Sequence, residues 1–370
     1  MPGNSMDRPL RFHWSLSQAG DKFRRAQATT SMPGVVDLAQ LVDTCRHAET
    51  CGIESMLMAI GFTRPDPLAL AVAIGLRTEK IKFMVACRSG LISPTFFVQQ
   101  INTASALVPG RVLVNIVCGH TPHELRYYGD FLPHDERYAR TNEFLTICRA
   151  LWHKQFPYSF RGKYFQIEDA CIHTPFMGRE GPEIFAGGNS AEAADLAIRH
   201  ASCLWRFPDA PEKLEGQAGP VLHLGTEVGL LVSLITRPSR EEALHAASAL
   251  IGNFNAETTA MHAQFASRVD SEGFQSVYAR AADNSSHWIT RCLWTGAVPY
   301  LGAPAIALVG SFEEIADALL TYKRAGISQF LFMGWPDADE MTFFSQGVLP
   351  LVREREQRRT ALAGAARSAG

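Results

Sequence analysis

"IKFMVAC" (81–87), "SPTFFVQQINTASAL" (93–107) and "VLVNIVC" (112–118) follow one another with only short connections, and this passage decides the fold. The first and third pieces are short apolar runs rich in Val, Ile and Phe, the composition of buried strands. Between them Thr95 to Leu107 has the length and apolar spacing of an amphipathic helix, followed by Gly110 where a helix end favours glycine. Two short apolar runs joined by a helix read as parallel strands with a crossover connection.

The same unit repeats in both directions. Further runs are "RFHWSLS" (11–17), "SMLMAI" (55–60), "EIFAG" (183–187), "SCLWRF" (202–207), "VGLLVSLIT" (228–236) and "QFLFMG" (329–334). Helix candidates between the runs include Val36 to Cys51, Pro67 to Leu76, Glu143 to Trp152, Ala191 to His200 and Phe312 to Ala325. Eight units give an α/β fold, a (β/α)8 barrel, whose active site lies where the strands end. Two segments break the rhythm. "YSFRGKYFQI" (158–167) alternates polar and apolar residues around Arg161-Gly162-Lys163 and reads as a hairpin after the fourth helix. From about 252 to 304 the chain is longer than a crossover needs and carries "ADNSSHW" (282–288), which reads as a lid between the seventh and eighth strands. The expected organisation is a flexible N-terminus over 1–10, one barrel domain over 11–353 and a disordered tail over 354–370.

Charge and composition narrow the function. A formal net charge of -2 supplies no basic field for nucleic acid or a membrane surface. The eight cysteines show no CxxC and no regular spacing, so they read as reduced core residues. No apolar h-region opens the chain and no apolar run reaches a membrane span. The expectation is a cytoplasmic protein without a metal site.

Two motifs carry chemistry. In "HDERYARTNEF" (134–144), His134, Arg137 and Tyr138 stand at i, i+3 and i+4, which puts an imidazole, a guanidinium and a phenol on one helix face. In "PEIFAGGNSAEAADLA" (182–197) a strand runs through Gly187, Gly188, Asn189 and Ser190 into a helix. Paired glycines admit close backbone approach and the first helical N–H groups face an anion, so the turn reads as a phosphate site; alone, it reads equally well as a plain turn with Ser190 as helix cap.

Taken with "SPT" (93–95), "GRVLVNIVCG" (110–119), "FRGKYF" (160–165), "LVG" (308–310) and "GWP" (334–336), these motifs resemble the bacterial-luciferase-like flavin monooxygenases, the alkanesulfonate and dimethylsulfone branch in particular. The similarity spans Phe12 to about Leu351. It implies reduced FMN delivered by a separate NAD(P)H:flavin reductase, O2 activated as a C4a-(hydro)peroxyflavin, a small organic substrate with sulfur or from a biosynthetic route, and a homodimer or homotetramer. By the same resemblance His134, Tyr138, Gly188, Asn189 and Ser190 meet the flavin phosphate, while Asn115 and Cys118 lie beneath the ring. Other members transfer hydride with a deazaflavin, and some relatives are non-catalytic flavin-binding subunits. Those are the alternatives.

Strand-end positions supply the candidate catalytic residues: His13, Trp14, His120, Arg206 and Trp335. The departures from the branch are informative. Leu231, Ser233 and Leu301 stand where sulfonate enzymes carry Arg or His, and Trp335 replaces a Tyr. This predicts an apolar pocket with a neutral or weakly polar substrate, unless Arg64, Arg88 or Arg206 replaces the missing cations.

Overall fold

In a computed structural model, the described residues are 8–17, 36–178, 180–252, 254, 256–283 and 286–368. Eight parallel strands close into a barrel: β1 (Arg11–Ser15), β2 (Ser55–Met58), β3 (Lys82–Cys87), β4 (Val112–Ile116), β5 (Ile184–Gly187), β6 (Cys203–Arg206), β7 (Glu227–Arg237) and β8 (Ile327–Met333). Each pairs with its successor, and β8 pairs with β1. These are the eight apolar runs of the sequence.

Local chemistry fixes the helices between them. Ser93 caps Pro94–Leu107, with the Phe96 N–H donating to its hydroxyl at 3.3 Å. Asp66 does the same for Pro67–Gly75 through the Ala69 N–H at 2.7 Å. Both helices begin with Pro, whose missing N–H is no loss there. The expected hairpin forms from Tyr158–Arg161 and Gln166–Ala170.

Strand β7 continues past the barrel wall. Its first residues pair with β6, and from Ser233 onward it pairs with an additional parallel strand, Ala307–Ser311. Thus the insertion before β8 is anchored on the sheet. It contains helices Ala256–Ala266 and Glu272–Asp283 and the short strand Leu293–Trp294. Part of "ADNSSHW", residues 284 and 285, lies outside the described residues.

The two chain ends differ from expectation. Residues 1–7 lie outside the described residues, but Leu10 is buried. Its N–H donates to Glu356 Oε1 at 2.8 Å, and Arg353 donates to its carbonyl at 2.8 Å. Residues 354–368, expected to lack order, continue the helix Leu349–Ser368. Glu356 is buried and also accepts from Lys323 Nζ at 2.6 Å. A short charged stretch reads as solvated tail because sequence alone does not show that one carboxylate is matched by Lys323 and a strand-end N–H.

Candidate active site

Side chains alternate along a strand, and this sorts the strand-end candidates. On β1, His13 and Ser15 point into the barrel while Trp14 points out. Ser15 lines a cavity of about 300 Å3 at the C-terminal mouth, together with Leu57, Ala86, Asn115, Trp205 and Leu231 from five further strands. His13 lies one layer below. It is fully buried, with Nδ1 2.8 Å from Ser55 Oγ and Nε2 2.9 Å from Gln329 Oε1. Burial lowers its pKa to about 4. Trp14 packs against Phe332 on the helix side, and its indole N–H donates to Asp337 at 2.7 Å. Both are therefore corrected from site to framework residues: neither lines the cavity.

The phosphate-type turn forms where β5 ends. Ser190 caps the helix Ala191–His200, accepting from the Ala193 N–H at 3.2 Å. The Tyr138 side chain stands against Ser190, and burial raises the phenol pKa. A Cβ on Gly188 would lie 2.5 Å from the Ala193 Cβ and 2.9 Å from the Tyr138 hydroxyl. Only glycine leaves room there. Asn189 holds the turn in place: its side-chain oxygen accepts from the Phe207 N–H at 3.2 Å and its carbonyl from Arg206 Nη2 at 3.1 Å.

His134 and Tyr138, one turn apart, bring their rings to 4.9 Å and both line the cavity. Arg137, on the same helix face, is buried and donates to Cys118 O, Leu132 O and Asp270 Oδ2 at 3.0, 3.0 and 2.6 Å. On the solvent side, His134, Asp135 and Glu192 bring one ligand-type atom each within 4.8 Å.

From β4, Asn115 is buried in the cavity wall and its Oδ1 has no hydrogen-bond partner among the described residues. Cys118 lies 3.4 Å from the Thr141 hydroxyl, and burial pushes its thiol up to about 11. It is a neutral thiol. His120 also reaches the cavity, where Phe274 stacks on it at 4.4 Å and 6°. Burial, then the Arg88 guanidinium, hold its pKa below the ordinary imidazole value. The ring is uncharged at neutral pH.

Phe274 belongs to the insertion, which covers the mouth as the lid reading expects. His262, Phe265, Tyr278 and Leu301 face the cavity from it. It is fastened at Asp270, whose carboxylate takes Arg137 and whose N–H donates to His120 O at 3.1 Å. No motif in the sequence announces Asp270 or Phe274; only the partners they meet identify them. Of the family departures, Leu231, Leu301 and Trp335 line the cavity, while Ser233 is turned aside to donate to Pro304 O at 2.8 Å. Arg64, Arg88 and Arg206 all reach the wall.

The residues fit a flavin phosphate and ring. The glycine cradle, the capped helix start and the phenol converge as a phosphate needs, and the orphaned Asn115 oxygen asks for a donor. A family model for the luciferase-like monooxygenases matches residues 10–329. The chain belongs to the luciferase-like monooxygenase family. Among solved structures, this family member is similar to a riboflavin lyase with modified FMN and riboflavin, at 19% identity and TM-score 0.77, covering 94% of this chain and 92% of that one. An EDTA monooxygenase from Chelativorans sp. BNC1 matches at 18% identity and TM-score 0.74, over 94% of each chain. An F420-dependent secondary alcohol dehydrogenase matches at 17% and 0.63, over 93% and 99%. At such identities the likeness is one of fold, and membership rests on the family match.

Proposed function

We propose that this luciferase-like enzyme is a two-component monooxygenase that takes reduced FMN from a separate NAD(P)H:flavin reductase and oxygenates a small organic molecule with O2. The observation that carries this reading is the cradle at Gly188, where the Tyr138 hydroxyl and Ala193 leave no room for a side chain. Tyr138, Ser190, His134 and the first N–H groups of the helix Ala191–His200 would hold the phosphate. Asn115 and Cys118 would hold the ring, with the Asn115 Oδ1 accepting from a ring N–H.

Reduced flavin, when bound, supplies the activation of O2; the protein supplies place and dryness. The apolar wall formed by Leu57, Leu231 and Leu331 takes the substrate body. The lid, fastened through Asp270 to the buried Arg137, excludes water from the mouth. His120, kept neutral, offers one ring N–H and one bare nitrogen to the cavity. Cys118 stays protonated and takes no nucleophilic part.

The test is binding of reduced FMN, oxidised FMN, riboflavin and reduced deazaflavin, followed by calorimetry under anaerobic conditions. Reduced FMN should bind most tightly and riboflavin much more weakly. Equal affinity for FMN and riboflavin sinks the cradle, and preference for the deazaflavin transfers the protein to the hydride-transferring members.

A further inference from the structure

Among the described residues, the arginines held inside or against the barrel fall into two kinds. Arg137 has all three guanidinium nitrogens matched to acceptors, as described above. Arg11, half-buried at the other end of the barrel, has all three matched to Glu54 and Glu183. Both are framework groups. Arg88, at the end of β3, is 4% exposed, yet only its Nη2 is used, donating to Glu124 Oε2 at 3.2 Å. Its Nε and Nη1 are buried with no acceptor among the described residues. Leaving N–H groups of a buried cation unmatched is costly, and a framework role gives no reason for it.

The surroundings say what would match them. The cavity lining contains Arg64, Arg88 and Arg206 and, among the described residues, no Asp or Glu. Glu124 is the carboxylate beside Arg88, and it is shared with the Phe62 N–H at 2.6 Å. Arg206 is tied to the cradle through Asn189 O and Gln217, so its open Nε belongs to the phosphate end. Arg88 stands two strands away from β5, across β4, beside the apolar residues Leu57 and Ile60.

We propose that the substrate of this site has an apolar body and an anionic headgroup, a carboxylate or sulfonate, and that Arg88 is the residue that binds the headgroup. This rests on the flavin reading above, because the cofactor must occupy the cradle for Arg88 to be left to the substrate. It reverses the neutral-substrate expectation drawn from Leu231, Ser233 and Leu301: the branch's cations are absent from those positions, but a cation with unmatched donors stands on another strand.

The experiment measures, by calorimetry on the anaerobic protein loaded with reduced FMN, the affinity for octanesulfonate, octanoate and the uncharged methyl octyl sulfone. The expected result is that an anionic probe binds at least about tenfold more tightly than the sulfone, the worth of one charge-assisted hydrogen bond. Arg88→Gln should remove that preference, Arg88→Lys should keep much of it, and FMN affinity should change less than about twofold in either. Because Arg88→Gln strands Glu124, the Arg88→Gln/Glu124→Gln double variant is measured beside it, with thermal unfolding to check that each is folded. Sulfone binding as tight as the anions in the unchanged protein overturns the proposal, as does no binding of either anion. Loss of FMN affinity in Arg88→Gln overturns it too, by giving the guanidinium to the flavin. The flavin reading fails separately, through equal FMN and riboflavin affinity in the unchanged protein.

Discussion

The barrel interior around His13 and the barrel mouth around Arg88 and Asn115 treat polar atoms in opposite ways. In the interior both nitrogens of the His13 ring are matched. His13 meets Ser55 and Gln329, and the Gln329 amide donates in turn to Glu227 Oε2 at 2.6 Å. At the mouth, Asn115 Oδ1, Arg88 Nε and Nη1, Arg206 Nε and Trp335 Nε1 are buried without partners among the described residues. Folding satisfies its own hydrogen bonds. A region that leaves several unmatched, in a cavity, is kept for a ligand, and this marks the site better than residue type does. His13 and His120 are both strand-end histidines, but only His120 belongs to the mouth.

The contrast breaks first at His13. Replacement by Ala opens a hole and strands two buried polar groups, costing about 3 to 5 kcal/mol, read as a fall in thermal midpoint, while molecules still folded keep their FMN affinity. A variant with an unchanged midpoint and lost FMN affinity would return His13 to the site.

Acid titration comes next. The folded pKa of His13, about 4, lies below the ordinary 6.5, so its stabilising contribution is complete above pH 6.5 and is lost as pH falls through about 4. Each unit is worth roughly 1.4 kcal/mol, about 3 kcal/mol in all. Urea unfolding from pH 7 to 4 should therefore show a steep decline that is shallower in His13→Gln. Equal slopes for the two proteins would mean that the interior histidine is not held neutral.

At the mouth the effects move from stability to binding. Gly188→Ala should weaken reduced FMN by about a hundredfold, roughly 3 kcal/mol, because the new methyl meets the Tyr138 hydroxyl and Ala193, while the unfolding midpoint shifts only modestly. Ser190→Ala is the mildest. It removes a helix cap worth about 1 kcal/mol and one phosphate donor, and titration should show a loss of about tenfold. If Gly188→Ala binds FMN as the unchanged protein does, the phosphate lies elsewhere at the mouth.

Much of this was legible in the chain. The eight apolar runs became the eight barrel strands because short buried strands joined by crossovers admit few other arrangements. The Gly187 to Ser190 turn was legible for the same reason, as glycine freedom and a capping hydroxyl are local properties. The flavin family was legible only from the order of several motifs together. Asp270, Phe274 and Glu356 were not, since each draws its meaning from a partner between 33 and 346 residues away.

What the sequence determined by itself is therefore the strand and helix period, the caps and the glycine turn, all set within a few residues by backbone geometry. The tertiary structure decided which face each strand-end residue took: it sent His13 down into a matched pair and Trp14 out to Asp337, and it buried Arg137 in the lid fastening. It alone left Arg88 with open N–H groups. The physical reason is that hydrogen-bond satisfaction belongs to the surroundings of an atom, and those surroundings are assembled from distant strands only when the barrel closes.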